Sequence, residues 1–328
     1  MNNNRIFYLD IAKGFLILLL LVSHFGIVVR ESKINVQESY FAGIYFFHPL
    51  FTTFFMQCFF LISGYCSNFN HTAKVFFYKQ LKEIIVPSIF LGAINGLYHY
   101  IYGSEHQFYV ETFWFLNSLF CGKVFCWIVN KLKIEVTLYF LISFLLFLLG
   151  ITLNNYDIGE NIFSIRQCLT SGLFVAMGMF FKKNLYIHNY LMKYSWCLYV
   201  IIFSIIYTFN QESRVPIIDG TFHKFSFYKT PLVVIISIIG SFTIFRICQI
   251  IGRFHVIEFF GRNSLIIYCI HLIPFLYIIQ LTSQIFLPHN ILTGTIFYLV
   301  ALAMEIITMT IIIKLFNYPL LRICIGKW

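Results

Sequence analysis

The chain has 328 residues, of which 59% are hydrophobic and only 11% are charged, and its formal net charge is +10. A water-soluble domain normally carries about 25% charged residues, so this composition excludes a water-soluble globular protein. Membrane proteins keep Lys and Arg in their cytoplasmic loops, so the positive charge does not by itself indicate a nucleic-acid partner. The composition predicts an all-α integral membrane protein in which residues 1–328 form a single transmembrane domain.

Ten apolar runs follow one another along the chain, separated by short polar segments. The length of each run is close to the roughly 20 residues that a helix needs to cross about 30 Å of hydrocarbon. Helices are expected rather than strands, because a helix satisfies its backbone hydrogen bonds within one segment. The sixth and seventh runs are short, so the number of spans could differ from ten by one or two. The predicted spans are 14–30, 43–65, 84–102, 112–130, 136–153, 167–181, 195–209, 231–251, 264–287 and 294–316.

Lys and Arg are distributed unevenly between the two ends of these spans. If the N-terminus is cytoplasmic, sixteen of the 23 lie on the inner side and six on the outer side, with Lys123 inside a span. Positive residues accumulate in cytoplasmic loops, so this asymmetry predicts cytoplasmic N- and C-termini and an even number of spans. No small-residue cleavage site follows the first run, so it is expected to be a retained helix and not a signal peptide.

The first predicted helix carries three ionisable residues, Asp10, Lys13 and His24. Lys13 and His24 are eleven positions apart, which places them within about 20° of one helix face and about 16 Å apart along its axis. Asp10 lies one turn before Lys13 and is expected to pair with it. Ionisable groups inside spans usually face the bundle interior, so these residues predict a polar track. The alternatives are that Lys13 only snorkels to the headgroups and that His24 only packs.

Several segments resemble the acyltransferase-3 family, and they occur in the family's order over essentially the whole chain. The first is Leu9-Asp10-Ile11-Ala12-Lys13-Gly14 followed by His24, which resembles the family's basic-x10-His signature. The later ones are Ser63-Gly64-Tyr65, Lys79-x-x-Lys82 before Pro87, Phe113-Trp114-Phe115-Leu116, and Gly261-Arg262-Asn263-Ser264-Leu265 leading to Tyr268 and His271.

This resemblance implies a membrane-bound O-acyltransferase, similar to fucose 4-O-acetylases, in the bacterial inner (cytoplasmic) membrane. The implied donor substrate is acyl-CoA, and acetyl-CoA is the expected one. The resemblance implies no bound cofactor and no metal. The implied acceptor is a hydroxyl of a cell-envelope saccharide or of a lipid-linked sugar. His24 is expected to activate this hydroxyl or to carry the acyl group briefly, while Lys13, beside Asp10, holds the CoA end. Lys79 and Lys82 are expected to bind the anionic donor at the inner rim.

Two positions depart from the family pattern. Many members have a His-Met-Pro stretch before the Ser-Gly-Tyr segment, whereas this chain has Phe55-Met56-Gln57, and His48 lies farther upstream. The family's cytoplasmic arginine pair is replaced by Lys79 and Lys82. Lysine retains the charge but lacks the planar fork of arginine, so a bidentate grip on phosphate cannot be assumed.

Seven further residues are candidates for the cavity and the acceptor site. Ser264 and His271 share one face of the ninth span with Tyr268 and Phe275, where they would line a cavity or form an interhelical hydrogen-bond stripe. Glu305 lies inside the tenth span, where a carboxylate is expected to be paired or neutral. Trp114 also fits the aromatic belt at a membrane interface. The seven are Ser63, Tyr65, Trp114, Asn263, Ser264, His271 and Glu305.

Two other kinds of protein fit some of these residues. A transporter or flippase for an envelope glycan or lipid would use Lys13, His24 and Glu305 for translocation or as a proton relay. However, the sequence has no internal repeat and no matched pair of broken spans, which many secondary transporters have. A helix-packing protein without chemistry would leave the polar track unexplained. The acyltransferase interpretation is therefore preferred.

Overall fold

The computed structural model describes residues 6–41, 54–102, 114–158, 164–209 and 230–327, and these residues form helices and loops without a strand. The helices before residue 160 are α1 (Phe7–Glu31), α2 (Phe55–Cys66), α3 (Ala73–Gln80), α4 (Val86–Tyr102), α5 (Trp114–Lys131) and α6 (Val136–Asn155). The later ones are α7 (Ile165–Lys183), α8 (Leu185–Phe209), α9 (Thr230–Ile251), α10 (His255–Arg262), α11 (Ser264–Ile270), α12 (Leu272–Ile285), α13 (Ile291–Phe316) and α14 (Pro319–Arg322). A π turn, Leu81–Ile85, joins α3 to α4, and short 3₁₀ turns occupy Glu38–Phe41 and Ile323–Ile325.

Each of the ten predicted runs contains helix within the described residues, which confirms the all-α membrane fold. Five helical segments are long and apolar enough to cross a membrane, and the bent pair α11–α12 would make six. The five are Phe7–Glu31, Ala73–Tyr98, Val136–Asn155, Pro231–Ile251 and Ile291–Phe316. The total of ten spans and the cytoplasmic position of both termini stay predictions. His48, Phe113 and the start of the second predicted span lie outside the described residues.

Small residues let α2, α5 and α7 pack with their backbones close together. A Cβ at Gly64 of α2 would collide with the carbonyl oxygen of Val175, and one at Gly178 of α7 would collide with that of Leu61. Gly122 of α5 lies against the side chain of Val175. Lipid offers no hydrophobic force to drive helices together, so close packing of this kind is a main source of their association.

The helix α1 lies in the interior of the bundle, in contact with α2 and with α9 to α13. Near its start, Gly14 packs against the backbone of Ile257 and Gly261 against that of Asp10, so α1 and α10 touch closely. Near its end, Phe25 packs against aromatic rings from three other segments, Phe41, Phe275, Phe297 and Tyr298. We refer to the side of the bundle where α1 begins as proximal and to the opposite side as distal.

Two helical segments depart from regular α-helical geometry. The first is the π turn Leu81–Ile85, a local widening of the helix that is often found at functional sites. The second is the bend of 61° between α11 and α12, with His271 at the break. Pro274 follows three residues later, and because proline has no N–H and clashes with the preceding turn, a straight helix cannot pass through this point.

Candidate active site

Two histidines from distant parts of the chain lie against each other inside the bundle. Nδ1 of His24 on α1 is 2.6 Å from Nε2 of His271 at the α11–α12 break. The two rings are nearly parallel, with 10° between their planes and 4.9 Å between their centroids. The side chain of His271 is only 1% exposed, whereas His24 is partly exposed. The sequence predicted both residues as site candidates, and the structure brings them together as a hydrogen-bonded pair.

Hydrogen bonds on the far side of His271 determine how the pair is polarised. Its Nδ1 lies 2.9 Å from the carbonyl oxygen of Ile267 and 3.0 Å from that of Tyr268. A carbonyl oxygen can only accept, so Nδ1 of His271 carries the proton, and Nε2 of the neutral ring is an acceptor. Nδ1 of His24 therefore donates to His271. This assigns the lone pair of the neutral His24 ring to its Nε2, the ring nitrogen that can then accept a proton.

His271 obtains these two acceptors at the end of α11. A carbonyl oxygen has two lone pairs, and that of Ile267 accepts both the backbone N–H of His271 at 3.0 Å and its ring N–H at 2.9 Å. Both Ile267 and Tyr268 belong to the last turn of α11, and α12 departs from it at 61°. The side chain of His271 fills this position and is held there by backbone groups, which restrict both its orientation and its tautomer.

A cavity of about 330 Å³ lies beside the proximal half of α1. Along α2 its lining runs from Met56 to Cys66, and along α5 from Phe115 to Lys123. With a rise of 1.5 Å per residue, these stretches correspond to about 12 to 15 Å of helix. The charged residues of the lining are Lys13, Lys79, Lys123 and Glu83, and the apolar residues toward the distal side include Met56, Phe59, Phe115 and Leu116. The cavity thus has a basic end and an apolar end.

Ion pairs hold the Lys13 side chain beside this cavity. Its Nζ lies 2.9 Å from Oδ1 of Asp10, so the predicted pair is present. Asp10 is buried, and its other oxygen is 3.9 Å from Nε of Arg262 on α10, which also pairs with Glu258. Because Asp10 is fixed between α1 and α10, Lys13 is directed to the cavity lining, and its side chain is 25% exposed. This arrangement argues against simple snorkelling into the headgroups.

The two lysines of the Lys79-x-x-Lys82 segment have different surroundings. Lys79 lines the cavity, with its Nζ 3.8 Å from Oε1 of Glu83. Lys82 belongs to the π turn and is not among the residues that line the cavity. Its backbone carbonyl packs directly against Gly326 near the end of the chain. Of the two predicted donor-binding residues, the structure therefore brings only Lys79 to the cavity.

Tyr268 connects the cavity with the histidine pair. Its side chain is part of the cavity lining and its ring centroid is 5.0 Å from that of Phe115. Its carbonyl oxygen accepts the hydrogen bond from Nδ1 of His271. Neither histidine belongs to the lining of this cavity. In the described part of the chain, the basic cavity and the histidine pair are thus neighbouring sites that share Tyr268.

The other candidates on α2, α5 and α11 divide between lining and packing roles. Ser63 and Ser264 line the cavity. Tyr65 points elsewhere, with its ring centroid 5.2 Å from that of His188. Trp114 packs against its neighbours in an aromatic cluster that includes Phe60 and Phe115. Neither Tyr65 nor Trp114 lines the cavity.

Two further candidates lie away from the cavity lining. Oδ1 of Asn263 accepts a hydrogen bond of 2.8 Å from Nζ of Lys327, which ties the C-terminal segment to the start of α11. Glu305 on α13 is fully buried, and neither of its carboxyl oxygens has a hydrogen-bond partner in the described part of the chain. The track of Lys13, His24 and Glu305 that a transporter would need is therefore not formed by direct contacts among these side chains.

Lys123 and Glu83 are the charged residues of the cavity to which the sequence gave no role, and Lys123 is the more deeply buried. Lys123 lies in α5 with an exposed fraction of 8% and lines the cavity beside Lys13 and Lys79. A signal for it was present, because a lysine within an apolar span is costly and usually faces the bundle interior or a functional cavity. Its partners could not be identified without knowing which helices surround α5.

Comparison with known proteins identifies the family. A family model described as an acyltransferase domain matches residues 6–313, which is nearly the whole chain. A search of the curated proteins and a search of the solved structures each found no match. The matched range includes the histidine pair, the Asp10–Lys13 ion pair and all residues that line the basic cavity. The family indicates a membrane acyltransferase, which agrees with the apolar helices of the fold. The chain therefore belongs to the acyltransferase-3 family.

Proposed function

We propose that this protein transfers an acetyl group from acetyl-CoA to a hydroxyl of a cell-envelope sugar or polysaccharide. The observation that carries the proposal is the polarised histidine pair, in which the backbone fixes His271 and His271 fixes Nδ1 of His24 as a donor. Nε2 of His24 is then the basic nitrogen, as in catalytic sites where a second group sets the histidine tautomer. The proposed location is the bacterial cytoplasmic membrane.

The reaction requires one proton to move twice. Nε2 of His24 accepts the proton of the acceptor hydroxyl while the hydroxyl oxygen attacks the thioester carbonyl carbon. The new C–O bond forms, the C–S bond breaks, and the departing CoA sulfur takes the proton from His24. The products are an acetyl ester and free CoA, and the histidine returns to its starting state. General base catalysis by a positioned side chain contributes about 10²- to 10⁴-fold to a rate.

The basic cavity is the proposed site for the donor. CoA is polyanionic, and the cavity has lysines at its proximal end and apolar residues toward Tyr268. A volume of about 330 Å³ is at the low end of the roughly 300–1,000 Å³ typical of small-molecule sites, so the cavity fits part of a CoA molecule. The phosphates are proposed to lie near Lys13 and Lys79, with the thioester directed to the apolar end.

A transporter or flippase is not favoured by the family to which the chain belongs. It would also require a polar path, whereas the carboxyl oxygens of Glu305 form no hydrogen bond with Lys13 or His24 in the described part of the chain. Acyl transfer makes use of the same two α1 residues without needing Glu305 as a third member. The two functions differ in a simple observable, because only the transferase forms a new ester.

Replacement of His24 by alanine tests the proposal in cells. A deletion strain would be complemented with the wild type, His24→Ala or His289→Ala, and O-acetylation of its surface glycans measured by mass spectrometry. His289 is an exposed histidine outside the bundle interior and is the matched control. We expect full acetylation with the wild type and His289→Ala, and at least a 100-fold loss with His24→Ala. Normal acetylation by His24→Ala at equal protein abundance would remove His24 from the mechanism.

A further inference from the structure

Lys123 is a buried lysine whose charge is not matched by the protein. It lies in the middle of α5, about 12 Å along the helix from Lys131 at its proximal end. Only 8% of Lys123 is exposed to solvent, and its side chain lines the basic cavity. In the described part of the chain it makes no hydrogen bond and no ion pair. Ionisable groups at such positions are costly and are characteristic of ligand sites.

The other charges of the cavity are already engaged. Lys13 is paired with Asp10 at 2.9 Å, and Lys79 lies 3.8 Å from Glu83. Glu83, Lys79 and Lys13 line the same cavity as Lys123, so the charged side chains that share it are one carboxylate, which attracts Lys123, and two ammonium groups, which repel it. Three lysines and one glutamate line the cavity. A bound anion would relieve this excess positive charge, and removal of water would strengthen its attraction to the lysines.

The shape and polarity of the rest of the cavity restrict the kind of anion. Beyond the lysines the walls are formed mainly by apolar residues, among them Ile17, Ile62 and Leu119. A small hydrated anion would leave these walls uncovered, whereas a molecule with phosphate at one end and a slender, less polar arm at the other would contact both regions. A phosphate group also accepts the several hydrogen bonds that lysine ammonium groups donate.

We infer that Lys123, together with Lys13 and Lys79, binds the phosphate groups of the thioester donor. This inference rests on the proposed function, because acetyl-CoA is the donor assigned there. It adds Lys123, which had no expected role, to Lys13 and Lys79, and it leaves out Lys82, which does not line the cavity. Lys123 is the residue of the three whose ammonium has no carboxylate partner, so its contribution to phosphate binding is the largest.

The test is equilibrium binding of CoA to the purified full-length protein by isothermal titration. Lys123→Met keeps the side-chain volume and removes the charge, and Lys314→Met, an exposed lysine near the end of α13, is the matched control. We expect Lys123→Met to raise the dissociation constant for CoA at least tenfold, and Lys314→Met to change it less than twofold. Pantetheine, which has the arm but no phosphate, should bind wild type and Lys123→Met within a factor of two of each other.

Misfolding is separated from loss of the phosphate site by two further measurements. Replacement of a buried charge by an apolar group of similar volume is commonly neutral or stabilising, so the melting temperature of Lys123→Met should not fall. Cys66 also lines the cavity, and CoA should slow its alkylation by N-ethylmaleimide, followed by peptide mass spectrometry, in the wild type. The same CoA concentration should give clearly less protection in Lys123→Met.

The outcomes distinguish this inference from the proposed function. If the wild type binds CoA and Lys123→Met binds it equally well, Lys123 is not part of the phosphate site, although acetyl-CoA remains the donor. If Lys123→Met weakens CoA and pantetheine by the same factor, the residue shapes the cavity without binding phosphate, and the inference is wrong. If the wild type does not bind CoA at all, the proposed donor is wrong and the inference falls with it.

Discussion

The polarity of the His24–His271 pair depends on single hydrogen bonds and is the clearest residue-level result. The sequence placed His24 on an interior face of α1 from helical geometry, and the Asp10–Lys13 pair followed from their spacing. It could not predict that Nδ1 of His24 meets Nε2 of His271, because that contact joins residues 247 positions apart. The acceptor role of His271 follows from the Ile267 and Tyr268 carbonyls, which depend on the break between α11 and α12.

Substitution of His271 tests its role as a positioning residue for His24. We expect His271→Ala to lower kcat by about 10- to 10⁴-fold, because the loss of a group that orients a histidine costs about 10- to 100-fold at metal sites and about 10⁴-fold in a catalytic triad. His271→Gln places a carbonyl oxygen near the former position of Nε2 and should recover much of this loss. The KM for acetyl-CoA should stay unchanged in both variants, since His271 does not line the cavity. Equal inactivity of the two variants at normal abundance would contradict the hydrogen-bonding role.

The lysines of the 79–82 segment provide a second residue-level test. Lys79 lines the cavity and Lys82 does not, so Lys79→Ala should raise the KM for acetyl-CoA about tenfold, as expected for one charge-assisted hydrogen bond. Lys82→Ala should change it less than twofold. Steady-state kinetics at varied acetyl-CoA and saturating acceptor measures both values. An equal or larger effect of Lys82→Ala would show that the donor contacts the π turn from another direction.

At the level of secondary-structure elements, the positions of the helices could be predicted from the sequence, but the bend and the π turn within them were not predicted. The apolar runs predicted a helix at each of ten places, because length and composition are enough to identify a membrane helix. The same patterns treated residues 264–287 as one straight span, whereas the structure bends it by 61° at His271. Pro274 was a visible signal for this bend. The π turn Leu81–Ile85 had no such signal, so the different surroundings of Lys79 and Lys82 could not be predicted.

The close packing of α1 on α10 gives a prediction at this scale. A Cβ at Gly261 would collide with the carbonyl oxygen of Asp10, so Gly261→Ala should push the helices apart and disturb the ion pair of Lys13. We expect a loss of about 1–3 kcal/mol in the free energy of unfolding, as is usual for overpacking. Gly172 of α7 is the matched control, because a Cβ there meets no atom within 4 Å.

Thermal unfolding in detergent measures both glycine variants. Alanine is favoured over glycine in a helix by about 1 kcal/mol, so Gly172→Ala should retain or raise the melting temperature while Gly261→Ala lowers it. If Gly261→Ala were as stable as the wild type, α1 and α10 would not be in the close contact that positions Asp10 and Lys13.

For the whole molecule, the sequence was sufficient for the class of fold and for the family. Low charge and repeated apolar runs led to a multi-pass membrane protein, and the ordered motifs led to the acyltransferase-3 family, which the match over residues 6–313 confirms. The total of ten spans, the orientation of the termini and the single domain over 1–328 stay predictions. The separation into two neighbouring sites could not be predicted from the sequence. The basic cavity and the histidine pair are each formed by helices that lie far apart in the sequence, so only the folded bundle shows them.

The proposed reaction depends on His24, which we propose to catalyse transfer of an acetyl group to an envelope hydroxyl. The most direct measurement incubates the purified protein with isotopically labelled acetyl-CoA and envelope saccharides from a strain that lacks the gene, followed by mass spectrometry of the saccharides. We expect labelled acetyl esters with the wild type and none above background with folded His24→Ala. Unlabelled saccharides after incubation with the purified wild-type protein, or equal labelling by His24→Ala, would contradict this role of His24.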